Sequence, residues 1–126
     1  KHGEWAYWKS DGTLHSIEHY KNGQLDGSKK VFWPNTLIKE SLNYKNGKQV
    51  GHQLKIDQAG KMWSKTVLDE NGNGTYRIWD PNQSTVTTGK LKNWMKHGDR
   101  TMKSTIDGKL IRKDYWENGK LTRKRN

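Results

Sequence analysis

Apolar and polar residues alternate along short stretches of the chain, and turn residues separate these stretches. Trp5 and Tyr7 alternate with Glu4 and a small alanine, which is the period of two expected for a strand with unlike faces. Asp11-Gly12 and Asn22-Gly23 bound the next stretch, and such pairs tolerate the positive φ that a type I′ turn requires. The pattern therefore predicts antiparallel hairpins, and no segment shows a sustained helical period.

Glycine recurs with a period of about 24 residues. The recurring residues are Gly3, Gly27, Gly51, Gly74 and Gly98. Other turn residues recur nine and twenty positions after each of these glycines. An apolar residue recurs seventeen positions after each glycine, if one inserted residue is allowed in the last repeat. The members of this apolar column are Tyr20, Tyr44, Leu68, Leu91 and Trp116. We expect an all-β fold, an elongated antiparallel sheet of about five tandem β-hairpin repeats that stack on this column. The repeats form a single domain, 1–126, and span residues 3–26, 27–50, 51–73, 74–97 and 98–126.

The motifs of these repeats resemble a known family. Residues 5–14 (WAYWKSDGTL), 20–27 (YKNGQLDG) and 44–47 (YKNG) are similar to the bacterial variant of the MORN repeat, the tandem unit of YwqK-family antitoxins. The resemblance covers essentially the whole chain, and repeat 4 departs from it at Trp94, which stands where the family has a turn glycine. It implies a non-enzymatic antitoxin or immunity protein that neutralises a bacterial toxin by direct binding and occlusion.

The composition is polar and basic, with 24 Lys and Arg against 13 Asp and Glu and a net charge of +11. Leu, Ile, Val and Phe together supply only 20 of 126 residues, a proportion typical of disordered chains. Seven Trp and five Tyr offset this deficit, because each aromatic ring buries roughly 150–250 Å². We therefore expect a folded chain with a thin core. It has no apolar run of membrane-spanning length.

No motif in the sequence indicates an enzyme. The chain has no cysteine, which excludes disulfides, thiolate zinc sites and a cysteine nucleophile and leaves the compartment open. His15 and His19 lie about 13 Å apart if they share a strand, without carboxylates placed to complete a zinc site. The glycine-rich segment 71–74 lacks the Lys-Ser/Thr of a phosphate-binding loop. The sequence therefore predicts no catalytic residue, no metal site and no cofactor.

Basic and aromatic residues are the candidates for binding. Repeat 1 carries a charge of −2, whereas repeats 2, 4 and 5 carry +4, +3 and +5. Because a large ring replaces a turn glycine at Trp94, we expect this side chain to project from a hairpin tip. The predicted partner-binding residues are Trp94, Lys92, Met95, Lys96, Trp33, Lys30 and Arg112. A solvated basic face that prevents edge-to-edge association is the alternative interpretation of the charge.

Three classes of partner match the basic charge, namely an acidic protein, an anionic membrane and a nucleic acid. A cognate toxin with an acidic surface is the leading partner, since complementary charge accelerates and orients association. An anionic phospholipid surface is the alternative, because MORN repeats more broadly are associated with phospholipid binding and each Lys or Arg near such a surface contributes about 1 kcal/mol. Nucleic acid ranks third, because the sequence has no recognised nucleic-acid-binding motif.

Overall fold

Every regular element that the computed structural model describes is a β-strand. It describes the backbone of residues 1–125 and the side chains of residues 1–122, and within that range no helix long and apolar enough to cross a membrane is found. The strands are β1 (Gly3–Trp8), β2 (Leu14–Lys21), β3 (Gln24–Phe32), β4 (Ile38–Lys45), β5 (Lys48–Gln49), β6 (Gly51–Ile56), β7 (Met62–Leu68), β8 (Gly74–Asp80), β9 (Thr85–Lys92), β10 (Met95–Lys96), β11 (Gly98–Ser104), β12 (Leu110–Glu117) and β13 (Lys120–Arg125). The predicted all-β, antiparallel fold class is confirmed.

The chain forms two compact units, an N-terminal unit of Lys1–Trp63 and a C-terminal unit of Ser64–Asn126. In the N-terminal unit the strand order is β1-β2-β3-β4-β6, and β5 also pairs with β4. In the C-terminal unit it is β7-β8-β9-β11-β12-β13, and β10 also pairs with β9. Neighbouring strands thus follow the chain order, as in successive hairpins. The count of five repeats and the single domain stay predictions.

Most of the turn residues lie where the spacing predicts them, but in repeat 3 the positive φ falls on Gly72 rather than on the predicted Asn71. The four tight turns between strands are formed by Asn22-Gly23, Asn46-Gly47, Asn93-Trp94 and Asn118-Gly119, and both residues of each pair have positive φ. That backbone geometry is the one a type I′ hairpin turn requires. In the second set of turns positive φ occurs at Gly12, Thr36, Gly60 and Gly108, but in repeat 4 it falls on Ser84 rather than on the predicted Gln83.

Few side chains are completely buried. The buried hydrophobic residues are Val31, Leu42, Leu68 and Tyr76. Of the predicted apolar column, only Leu68 is buried, and the other four members are partly exposed. The reason is that a side chain on a sheet without a helix over it is covered only by neighbours on its own face. The column therefore supplies part of the core, and residues on the adjoining strands supply the rest.

Gly89 marks a close approach between a side chain and the backbone of the neighbouring strand in the C-terminal unit. Gly89 pairs directly with Tyr76 across β8 and β9, and a Cβ atom at this glycine would lie 2.4 Å from the Tyr76 phenol. A glycine inside a strand commonly marks such a close approach. The Tyr76 ring therefore covers the backbone of β9.

We expect Gly89→Ala to lower the free energy of unfolding by about 1–3 kcal/mol, because the added methyl group must displace the Tyr76 ring. The same substitution in a Tyr76→Ala background should cost much less, since the ring is gone. Urea unfolding of the two single variants and the double variant measures this coupling, and Thr87→Ala on the same strand serves as control. An equal cost of Gly89→Ala in both backgrounds would contradict this packing.

Candidate functional site

A buried carboxylate lies at the centre of the last strands of the C-terminal unit. The Asp114 side chain on β12 is only 1% exposed. Arg100 on β11 lies directly opposite and donates two hydrogen bonds, Nε to Oδ1 at 2.9 Å and Nη2 to Oδ2 at 2.5 Å. Arg112 Nη2 lies 3.2 Å from Oδ2, and Trp116 Nε1 donates to Oδ1 at 3.1 Å. Four donor groups therefore surround one carboxylate.

The register of β12 brings these groups together. Arg112, Asp114 and Trp116 are separated by two residues each, so their side chains lie on one face of the strand. A bidentate Arg–carboxylate contact is among the strongest ion pairs, because two parallel hydrogen bonds fix its geometry. Burial alone would raise the pKa of Asp114, but the hydrogen bonds from Arg100 and Trp116 and the charges of Arg100 and Arg112 outweigh burial and lower it.

Cations and aromatic rings surround this carboxylate. Lys96 Nζ lies 4.7 Å from the centre of the Trp116 ring and 5.8 Å from that of Tyr76. The Arg100 guanidinium carbon lies 4.9 Å from the Trp116 ring. Both distances to Trp116 are within cation–π range. Three cations and one carboxylate leave this cluster with a net positive charge.

The opposite face of the C-terminal unit is also basic. One cross-strand row runs through β7, β8, β9, β11 and β12, and its members are Lys65, Arg77, Thr88, Thr101 and Lys113. Strand alternation places Lys90, Lys92 and Lys103 on the same side. We call this surface the basic face and define it by these eight residues. The hydroxyls of Thr88 and Thr101 form a hydrogen bond of 2.8 Å, so these two members of the row lie on one side of the sheet.

Charge on the basic face is poorly compensated. Lys65 and Arg77 are direct cross-strand partners, and like charges in that position destabilise a sheet. Lys113 Nζ lies 3.6 Å from Asp99 Oδ2, whereas no ion pair joins Lys65 or Arg77 to another described residue. The Arg77 guanidinium carbon lies 5.9 Å from the Trp79 ring centre. The repelling cations of the basic face therefore lie next to an aromatic ring.

The structure separates the predicted partner-binding residues of the C-terminal unit between its two faces. Met95 pairs with Lys92, and Lys96 pairs with Leu91. Lys92 and Met95 therefore lie on the side of the basic face, whereas Lys96 lies beside Trp116. Arg112 belongs to the Asp114 cluster as well. The stretch from Lys92 to Lys96 is not one continuous patch.

Trp94 does not project from its turn. Its backbone N–H donates to the Gly72 carbonyl at 2.9 Å, and a Cβ atom on Gly72 would lie 2.3 Å from the indole ring. The expectation of a free ring at the hairpin tip is therefore wrong. The turn places Trp94 against the neighbouring loop, where the bare glycine backbone leaves room for it. A role in partner binding stays a prediction.

Trp33 and Lys30 belong to the N-terminal unit, where they do not form a common site. Trp33 Nε1 donates to the Ile56 carbonyl at 2.9 Å, and Lys39 Nζ lies 4.7 Å from its ring centre. Lys30 is exposed and lies between Ile17 and Ser41 on the neighbouring strands. The Trp33 side chain links the turn after β3 to the end of β6, whereas the Lys30 side chain is accessible to a partner.

Sequence reasoning did not identify the buried carboxylates. Glu18 and Asp114 each precede a member of the apolar column by two residues, Tyr20 and Trp116. Residues two apart on a strand share a face, so both carboxylates had to lie on the face of the column. A carboxylate at such a position needs a partner, and this signal was available in the sequence. The described residues contain no group of three or more His, Cys, Asp or Glu that could hold a metal ion.

We expect Asp114→Asn to lower the free energy of unfolding by roughly 3 kcal/mol, near the lower end of the cost of breaking a buried ion pair. The expected loss lies at the lower end because the Arg112 side chain is partly exposed, so water can hydrate its charge once the carboxylate is gone. Asp99→Asn is the matched control, since it removes a carboxylate of the same type that is 53% exposed. Chemical denaturation at pH 7 measures both variants, and equal losses would refute a special role for Asp114.

The lowered pKa of Asp114 also sets a pH dependence. Its charged form is favoured in the folded state, so its contribution is fully present above the unfolded pKa of about 3.9. It is lost as the pH falls from there through the folded pKa. Wild-type protein should lose more stability on acidification from pH 6 to pH 2.5 than Asp114→Asn loses. Identical slopes of unfolding free energy against pH would contradict this assignment.

Comparison with known protein families and with curated proteins finds no match. The resemblance of residues 5–14 and 20–27 to the bacterial MORN repeat therefore stays a prediction that rests on those motifs. On the basic face, Lys65 and Arg77 lie directly opposite one another and form no ion pair with any described residue.

Proposed function

We propose that the protein is a non-enzymatic binding module that docks an acidic partner protein against the basic face of the C-terminal unit. The observation that carries the proposal is the direct cross-strand pairing of Lys65 with Arg77. Such a like-charge pair costs the free protein stability. An acidic surface bound across the row would offset the repulsion between Lys65 and Arg77. Relief of this repulsion would therefore favour association.

The dimensions and composition of the basic face suit a protein partner. The row from Lys65 to Lys113 crosses five strands, or about 19 Å at roughly 4.8 Å per strand. Trp79 and its direct cross-strand partner Val86 add apolar surface at one side of the row. Aromatic rings beside arginine are common anchors of protein interfaces. The surrounding lysines would steer an acidic partner toward them.

A bacterial toxin is the specific partner that the resemblance to YwqK-family antitoxins supports. In this form of the proposal the basic face covers an acidic region of the toxin and blocks access to its active site. Lys92 and Met95, two of the predicted partner-binding residues, lie on the side of the basic face and would contribute to the contact. The protein itself would perform no chemistry.

An anionic phospholipid surface is the second candidate, and a specific feature favours it. Ile106 is 83% exposed, and Leu110 and Ile111 are also exposed. Leu110 pairs directly with Lys103 of the basic face. Exposed aliphatic residues beside lysines are suited to the boundary between lipid headgroups and acyl chains. The experiment on the basic face therefore includes vesicles.

We expect Lys65→Glu to have opposite effects on stability and on binding. It replaces the like-charge pair with a Glu–Arg pair, so the free energy of unfolding should rise by about 0.2–1 kcal/mol. Affinity for an acidic partner should fall several-fold, because the same side chain would then repel it. Thermal unfolding measures the first effect, and calorimetric titration with a polyglutamate peptide at low salt measures the second.

Lys61→Glu is the control, because it changes the net charge equally at an exposed turn of the N-terminal unit. Equal losses of affinity in both variants would show that only net charge matters and would overturn the assignment of the basic face. Binding to phosphatidylglycerol vesicles without binding to polyglutamate would favour the lipid surface. The toxin is tested by titrating the protein encoded by the neighbouring gene of the native host, and its failure to bind would overturn that form of the proposal.

A further inference from the structure

Three aromatic rings of the N-terminal unit surround one ammonium group. Lys1 Nζ lies 5.2 Å from the ring centre of Trp5, 5.3 Å from that of Tyr7 and 5.0 Å from that of Tyr20. All three distances are within the range of cation–π attraction. Lys1 Nζ also donates a hydrogen bond to the Tyr7 hydroxyl at 2.7 Å. We call the group of Trp5, Tyr7 and Tyr20 the aromatic cage.

The strand register builds the aromatic cage. Trp5 and Tyr7 are two residues apart on β1, so they share a face of the sheet. Trp5 lies directly opposite Glu18 on β2, and Tyr20 follows Glu18 by two residues. The three rings thus stand on adjacent positions of two paired strands. Backbone pairing therefore sets the positions from which the three rings project.

A buried carboxylate accepts a hydrogen bond from one ring of the aromatic cage. The Tyr20 hydroxyl donates to Glu18 Oε1 at 2.5 Å, and Lys29 Nζ lies 3.1 Å from Glu18 Oε2. The hydrogen bond to Glu18 raises the pKa of Tyr20, which keeps its hydroxyl protonated. The hydrogen bond to Glu18 thus fixes the orientation of the Tyr20 ring in the aromatic cage.

We propose that the aromatic cage is a binding site for an alkylammonium group of a ligand, and that Lys1 occupies this site in the free protein. Trp5 is 41% exposed, so a group outside the molecule can reach the rings. A primary ammonium has three donors, and the Tyr7 hydroxyl accepts one of them. A methylated ammonium needs no hydrogen bonds and covers more of the rings. The ligand class is therefore a methylated or quaternary ammonium.

Lys1 competes with any such ligand. As part of the same chain it is present at a high effective concentration beside the rings. Removing its side chain should therefore raise the affinity for an outside cation. This relationship separates a cage that accepts ligands from a purely structural contact, because a purely structural contact would simply be lost.

The test measures binding of choline to wild-type protein, Lys1→Ala and Lys1→Ala/Trp5→Ala by NMR titration. We expect Lys1→Ala to bind choline more tightly than wild-type protein, and the added Trp5→Ala to weaken this binding roughly 2- to 30-fold, the range expected for a cation–π contact. The neutral analogue 3,3-dimethyl-1-butanol has nearly the same shape and should not compete. Equal binding of the two compounds would overturn the proposal, as would no binding of choline to Lys1→Ala.

Trp8→Ala in the Lys1→Ala background is the matched control. Trp8 is an exposed tryptophan of the same strand, but it is not part of the aromatic cage, so choline affinity should not change. Two further titrations of Lys1→Ala distinguish the source of the ammonium group. Binding to a trimethyl-lysine peptide supports a protein-borne ligand, and binding to phosphatidylcholine vesicles supports a lipid headgroup. If neither binds, the aromatic cage has no such ligand and the proposal fails.

Discussion

Side chains in each unit are covered only by neighbours on the same face of the sheet, and most features of the protein follow from this constraint. Without a second layer, short aliphatic residues bury little surface. The chain therefore uses wide side chains that lie over their neighbours, such as Tyr76 over Gly89 and Trp94 over Gly72. Arginine acts in the same way, because its stem covers apolar surface while its head finds a partner.

The same constraint explains why charged groups enter the packed regions. Glu18 and Asp114 are both buried, and each is held by a cation from the neighbouring strand and by an aromatic donor two residues along its own strand. Lys29 and Tyr20 hold Glu18, whereas Arg100 and Trp116 hold Asp114. Such pairs require exact placement, since an unpartnered buried carboxylate would destabilise the fold. Positions 18 and 114 are therefore far less tolerant of substitution than the polar composition of the chain suggests.

The two faces of the C-terminal unit differ in how their charges are satisfied. Beside Asp114 the two arginines share one carboxylate and the cations also lie close to aromatic rings, so each cation has a partner within the fold. On the basic face Lys65 and Arg77 oppose one another, and their repulsion is relieved only by something outside the unit. In the N-terminal unit the relation is reversed, because the aromatic cage attracts a cation and Lys1 supplies it. Both surfaces proposed to bind ligands are therefore places where a charged group has no internal partner or where its internal partner can be replaced.

The sequence by itself determined the strand pattern and most of the turns. Alternation around Trp5 and the recurring Asn-Gly pairs are local signals, because φ preference and strand period depend on neighbouring residues alone. Only the tertiary structure decided which side chains meet. The separation of Lys92 from Lys96 follows from the pairing of β9 with β10, and the position of Trp94 follows from a loop more than twenty residues earlier. Register joins residues that are distant in the chain, and for that reason the Asp114 cluster and the aromatic cage became visible only in the folded protein.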